Sequence, residues 1–208
     1  MNRLPINIKP AGAVSQNNGD EYETHKFDIK YLLECYAEKE SDVVWDPFVA
    51  RSGYSQSCIE GLGYKTTSTT TDFFHLDAPP TGTTLIITNP PFSKKVEIMK
   101  QLCKWSIPFI LILPTIVLQR DYFTAIVKSC KRRWWIQLPN KSLFFHVGGE
   151  KKGTPAFKCC FIYSHPSTRN QPLASIDVQL IDYEEIRRER GFKSGDIALS
   201  ENDSESEE

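Results

Sequence analysis

The chain has no Cys-x-x-Cys pair, and no histidine stands at a metal-ligand spacing from its six cysteines. That argues against a zinc site and against a disulfide frame, and no bound metal is expected. Several of the cysteines (Cys35, Cys58, Cys103, Cys130, Cys159 and Cys160) sit inside apolar runs and read as reduced core thiols of an intracellular protein. No stretch approaches the roughly 18 consecutive apolar residues of a membrane span. The polar N-terminus does not read as a signal peptide. No internal repeat is visible, which excludes solenoids and propellers. An excess of one charge sign is also missing, since the net charge is only −1. Six of the 26 acids and none of the 25 bases lie in residues 196–208, so the preceding chain carries +5. A mildly basic body suits a nucleic-acid partner, and ordinary solvated charge explains it almost as well.

What is present is a chain of 208 residues, 40% hydrophobic and 25% charged, enough for one globular domain with tails. Residues 1–19, rich in Asn, Gly, Pro and Ala, read as a flexible lead-in. Residues 20–166 read as the folded domain, 167–195 as a C-terminal extension with a short helix at 183–190, and 196–208 as a disordered acidic tail. Apolar spacing predicts helices over 27–36, 93–102 and 122–130, with Thr24 near the start of the first and Ser93 as a cap of the second. Lys131, Arg132 and Arg133 would close the third, favourably for its dipole. Strands are expected at 43–48, 64–71, 83–88, 108–114, 134–138 and 158–163, while 166–181 shows no regular element.

Two turns carry chemistry. Strand 43–48 ends in Asp46-Pro47-Phe48 and passes through small residues with Gly53 into a helix that Gly63 stops. A strand with an acidic tip, a small-residue turn and a helix N-terminus describe a nucleoside-cofactor cradle, and equally a plain βα turn in which Asp46 caps a helix or pairs with Arg51. Strand 83–88 ends in Asn89-Pro90-Pro91-Phe92. Two prolines stiffen that turn and present carbonyls without competing N–H groups. The Asn89 side-chain oxygen and the Pro90 carbonyl then suit the two hydrogens of one planar amino group, and Phe92 offers a flat face to a heterocycle.

Asn-Pro-Pro-Phe after a hydrophobic strand resembles the catalytic motif of the S-adenosylmethionine-dependent amino-methyltransferases that act on adenine N6. The resemblance covers roughly residues 20–165 and is strongest at 85–92. It implies an α/β fold: a Rossmann-like class I methyltransferase, a mostly parallel seven-stranded sheet with helices on both faces and one antiparallel strand. It implies catalytic roles for Asn89, Pro90, Pro91 and Phe92. It implies S-adenosyl-L-methionine as cofactor, held by Thr24, Asp46, Pro47, Phe48, Gly53, Asp72, Phe73 and Asn89. In the family an acid such as Asp72 accepts from the cofactor's adenine and an aromatic such as Phe73 packs on that ring; a strand-end Asp beside core phenylalanines reads the same way in sequence. The chain departs from the family in three places. Thr24 is followed by His25 where the family has proline, Ala50 and Arg51 stand where the first glycine of Asp-Pro-Phe-x-Gly-x-Gly is expected, and 64–71 holds no acid for the ribose hydroxyls.

The implied substrate is adenine in DNA or RNA, extruded if the target is a duplex. No segment is long enough for a separate recognition domain, so a single-stranded or structured target or a partner subunit is expected. Lys94 and Lys95 after the motif, and Lys141, Lys151 and Lys152 in the glycine-bearing segment 139–155, are candidate phosphate contacts. A solvated helix face and a plain hairpin connection explain the same lysines. Three alternatives stay open: methylation of a protein glutamine at N5, a non-catalytic methyltransferase-like binding subunit, and a structural α/β domain.

Overall fold

The apolar run 108–114 sets the centre of the molecule. Its alternate residues Ile110 and Ile112 enter one hydrophobic cluster, while Phe109, Leu111 and Leu113 enter another. A strand buried on both faces needs helices on both sides of its sheet. The computed structural model describes residues 22–49, 53–143, 145–147, 150–152, 157–167 and 176–191. Along the chain come β1 (Glu23–Thr24), α1 (Lys26–Tyr36), β2 (Val43–Trp45), α2 (Tyr54–Gly61) and β3 (Lys65–Thr66). They are followed by β4 (Leu85–Thr88), α3 (Lys95–Lys104), β5 (Phe109–Pro114), α4 (Asp121–Ser129) and β6 (Arg132–Pro139). The chain closes with β7 (Phe145–Val147), β8 (Glu150–Lys152), β9 (Cys159–Pro166), β10 (Ile176–Ile181) and α5 (Tyr183–Glu189).

Seven strands form the main sheet in the order β10-β6-β9-β5-β4-β2-β3. All its neighbouring pairs are parallel except those made by β9, which runs against both β5 and β6. Helices α1, α2 and α5 cover one face and α3 and α4 the other. This is the Rossmann-like, mostly parallel sheet with a single reversed strand. From β2 the chain moves outward to β3 and then returns to β4 on the other side of β2. The carboxyl ends of β2 and β4 therefore flank a switch point, where open α/β sheets hold their ligands. A second, antiparallel sheet, β1-β7-β8, pairs Glu23 with His146 and Thr24 with Phe145.

Several local expectations change. The strand expected at 64–71 is only Lys65–Thr66; the Thr67 N–H still donates to the Val44 carbonyl of β2 at 3.1 Å, and the described residues after it leave the sheet. Helix α3 does not begin on Ser93. Residues Phe92–Lys94 make a 3-10 turn first, and α3 starts at Lys95 without a side-chain cap. The segment 166–181 is not irregular throughout, since β10 adds to the sheet edge in parallel register with β6. Helix α5 is likewise part of the domain, not an appendage. Its Tyr183 is fully buried and donates a hydrogen bond to the Asp28 carboxylate of α1, and the Arg187 guanidinium lies 4.7 Å over the Tyr183 ring.

Arg132 and Arg133 do not finish α4. They open β6, and the Arg132 side chain turns inward, 3% exposed. Its guanidinium donates to the carbonyls of Trp105 (2.8 Å), Ile107 (2.6 Å) and Ser164 (3.1 Å) and to Ser164 Oγ (2.9 Å). It also lies 4.6 Å over the Phe109 ring. A buried cation satisfied by carbonyls ties the α3–β5 turn to β6 and β9. Arg132→Met keeps the stem and removes every donor, leaving buried acceptors unpaired at a cost of about 1–3 kcal/mol each. The variant is expected to lose about 3 kcal/mol in urea unfolding. A loss under about 1 kcal/mol would show that the carbonyls find other donors.

Candidate active site

Asp46 organises the carboxyl edge of the sheet. It follows β2, and its Oδ1 accepts from the Phe48 N–H at 3.0 Å and from Thr88 Oγ1, at the end of β4, at 2.7 Å. Its Oδ2 accepts from Ser55 Oγ in the first turn of α2 at 2.7 Å. One carboxylate thus joins two strands and a helix. Burial pushes its pKa up, against the pull of the Thr88, Ser55 and Phe48 donors. It does not cap α2, whose N-cap is Gly53, with φ +67, where an L side chain would be strained. The residues around Ala50 and Arg51 lie outside the described residues.

Between these ends runs a cleft with about 220 Å³ of free space, part of it open to solvent. Its polar lining is Thr24, Asp46, Ser55, Thr88 and Asn89, over an apolar floor that includes Ile59 and Ile112. Two lining atoms, Thr24 Oγ1 and Asn89 Oδ1, are buried without a hydrogen-bond partner among the described residues. Buried polar atoms are nearly always paired, so both atoms are open to a further partner from the cleft.

The Asn89 corner is built as a set of acceptors. The Asn89 amide nitrogen donates to the Tyr22 carbonyl at 2.6 Å, which leaves Oδ1 as the atom still to be satisfied. The Pro91 carbonyl accepts from the Lys94 N–H at 2.9 Å. Among the described backbone N–H groups, none donates to the carbonyl of Pro90, a buried residue. Phe92 is half-buried and already has aromatic company. The Tyr22 ring stacks on it at 6.0 Å and 20°, and Phe157 meets it edge-on at 5.6 Å. Tyr22 is held in turn by Phe145 of β7 and by Phe157, both edge-on. Pairing of β1 with β7 brings these distant segments over the corner.

The residues proposed from sequence separate into groups. Thr24, Asp46 and Asn89 share the cleft. Thr24 lies in β1, and the N-cap of α1 is His25, whose Nδ1 accepts from the Phe27 N–H at 3.1 Å. Pro47 and Phe48 form the turn after β2, and Phe48 points into the core beside Phe73 at 4.9 Å. Phe73 is 4% exposed and edge-on to Trp105, so it is a core residue of the α3–α4 face. Asp72 caps a short 3-10 turn, accepting from the Phe74 N–H at 2.8 Å. Lys95 folds back to donate to the Phe92 carbonyl at 2.8 Å, and Lys94 is half-buried. Lys141 pairs with Glu184 at 3.4 Å. Lys151 and Lys152 lie in β8, and their side chains are outside the described residues. Among the described residues no group of three His, Cys, Asp or Glu side chains gathers for a metal, and no helix is long and apolar enough to cross a membrane.

Tyr22, Ser55, Thr88 and Phe157 join the site unannounced. Ser55 and Thr88 carried a faint signal, as hydroxyls at the mouths of the two βα turns. Tyr22 and Phe157 carried none, because their contacts with Phe92 span most of the domain.

No family model matches the chain, and no curated protein matches it. Solved structures do, at low similarity. A candidate class I S-adenosylmethionine-dependent methyltransferase from Listeria monocytogenes is 13% identical, with 86% of this chain and 73% of that one covered and a TM-score of 0.49. A candidate RNA methyltransferase from Pyrococcus horikoshii is 11% identical over 67% of this chain and 81% of that one, with a TM-score of 0.42. The T. thermophilus 16S rRNA N2 G1207 methyltransferase, in complex with AdoMet and guanosine, is 12% identical over 83% and 46% respectively, with a TM-score of 0.35.

Proposed function

We propose that this chain transfers a methyl group from S-adenosylmethionine to the exocyclic N6 amino group of adenine in a nucleic acid. The observation that carries the reading is the pair of acceptors at Asn89 Oδ1 and the Pro90 carbonyl, neither met by a described backbone donor, in a stiff turn at the switch point of the sheet. An aromatic amine is a poor nucleophile because its lone pair is delocalised into the ring. Two acceptors that hold its two hydrogens favour a more pyramidal nitrogen with a freer lone pair, and they do so before the reaction begins. Phe92 presents the flat surface that keeps the base in register. No strong base is needed, because the methylated nitrogen is acidic and gives its proton to water.

The polar lining of the cleft supports a place for the cofactor's polar end. Thr24 Oγ1 is a buried, unpartnered hydroxyl beside the Asp46–Ser55–Thr88 cluster, and a zwitterionic ligand would satisfy it. Thr24, the turn after Asp46 and the N-terminal turn of α2 are the residues that would hold it. When bound, S-adenosylmethionine supplies an electrophilic methyl group on a positively charged sulfur. Asp46 acts here through the turns it ties together, since its oxygens already accept three hydrogen bonds.

Calorimetric titration of S-adenosylmethionine into the full chain separates this reading from a binding subunit or a bland domain. Saturable binding in the micromolar range is expected. An absence of heat at millimolar cofactor would contradict it. Transfer of labelled methyl is expected to single-stranded DNA or RNA and not to glutamine peptides, and the reverse preference would make the substrate a protein amide.

A further inference from the structure

The Asn89 side chain can meet the Tyr22 carbonyl in one orientation only. At 2.6 Å an amide nitrogen makes a hydrogen bond there, whereas an amide oxygen would face another oxygen at a repulsive distance. The Tyr22 carbonyl therefore decides which end of the Asn89 amide is left over, and the end left over is the acceptor Oδ1. An acceptor buried without a donor welcomes an amino group and repels a carbonyl oxygen. Such a corner admits adenine N6 and rejects a base with an oxo group at the same position. The Tyr22 carbonyl is anchored from two sides. It is held by the Tyr22 ring, which Phe92, Phe145 and Phe157 surround, and by β1, which begins at the next residue and pairs with β7.

The ring adds a second constraint. A base stacked between two aromatic rings needs two stacking separations of about 3.4 Å each. The Tyr22 and Phe92 rings are already stacked, centroids 6.0 Å apart at 20°, so Tyr22 occupies the face of Phe92 that a base would use. Tyr22 thus covers the face of Phe92, and its ring has to turn aside about its own side-chain bonds when a base arrives, while the backbone stays paired through β1 and β7. A flat ring opposite Phe92 grips a planar heterocycle and offers little to a narrow aliphatic amide.

We infer that Tyr22 is a positioning and specificity-determining residue. Its backbone carbonyl locks Asn89 as a hydrogen-bond acceptor for an amino group, and its ring is the yielding second wall of the slot against Phe92. The inference deepens the proposed function and rests on the Asn89 corner being the amine-binding site. It adds that discrimination of amino from oxo bases is set from the N-terminal segment, through a residue that does not react.

The test is equilibrium binding by the full chain of two single-stranded oligonucleotides, one with a single adenine among thymines and one with hypoxanthine in its place. Wild type is expected to favour adenine by about tenfold or more. Tyr22→Ala removes the ring that anchors the carbonyl. It is expected to weaken adenine binding by about tenfold and to shrink the adenine preference to within about threefold. Tyr22→Phe keeps both ring and carbonyl and should match wild type, which separates positioning from any role of the phenol. Thermal melting establishes that each variant is folded. If Tyr22→Ala is folded and keeps both the affinity and the preference, the inference is wrong while the proposed function stands. If wild type binds both oligonucleotides equally or neither, the amine-binding reading of Asn89 fails, and the role of Tyr22 falls with it.

Discussion

Replacing Asn89 by alanine is expected to slow methyl transfer by about 10²–10³-fold at saturating substrates, with the fold intact. The magnitude is that of removing one preorganised group that acts on charge developing in a transition state. In the proposed reaction Asn89 offers the acceptor Oδ1 to the amine, and its nitrogen donates to the Tyr22 carbonyl at 2.6 Å. Alanine loses both. Because Asn89 also lines the cleft, S-adenosylmethionine affinity should fall, though by less than about tenfold, since Thr24 and the Asp46 turn remain. Single-turnover rates with labelled cofactor, beside calorimetry on the same protein, separate the two effects. Equal rates for the variant and wild type would remove Asn89 from the chemistry.

The second large effect concerns stability and pH. Asp28, in α1, is buried beneath α5, and burial raises its pKa from 3.8 to about 7, although the Tyr183 hydroxyl and the Arg187 guanidinium pull it down. Near pH 3 the carboxyl is protonated in folded and unfolded chains alike. Between about 4 and 7 the unfolded chain ionises while the folded chain holds its proton, so the unfolded state binds fewer protons and stability falls as pH rises. The slope is at most about 1.4 kcal/mol per pH unit, and the loss accumulates to about 4 kcal/mol by pH 7. Above that both states are ionised and the contribution is flat. Asp28→Asn has nothing to titrate and can still accept from Tyr183. Urea unfolding of the variant is expected to lack this descending limb, and parallel curves for the two proteins would exclude Asp28 as its source.

Much of the sheet was legible because its pattern is local. The run 108–114 has no polar residue inside it, and only a strand covered on both faces can carry that. The turns after β2 and β4 declared themselves through Asp46-Pro47 and Asn89-Pro90-Pro91, whose constraints act within a few residues. Strand β10 was missed although Ile176, Val178 and Leu180 alternate with Asp177 and Gln179. All five are exposed at the sheet edge, so the alternation does not divide core from solvent as it does elsewhere. Arg132 misled for a different reason. In sequence it extends a basic run at a helix end, and only the carbonyls of Trp105, Ile107 and Ser164 make a buried place for it.

The proposed site was legible in sequence at its corners and not at its roof. Asn89 and Phe92 lie within four consecutive residues, so the proposed corner has a local signature. Tyr22 reaches them across 67 positions through β1 and the β7–β8 hairpin, and long-range pairing of such short strands leaves no periodic trace. Phe73 shows a different ambiguity. A phenylalanine after an acid reads as a platform for a cofactor ring, yet Trp45, Phe48 and Trp105 enclose it.

The most direct measurement is the chemical identity of the modified nucleoside. Single-stranded DNA and RNA are incubated with the full chain and methyl-labelled S-adenosylmethionine, digested to nucleosides and resolved by mass spectrometry. Label on the exocyclic nitrogen of adenine is the expected result. Label on a ring nitrogen or a carbon, or no labelled nucleoside while the cofactor binds, would contradict the role given to the Asn89–Phe92 corner.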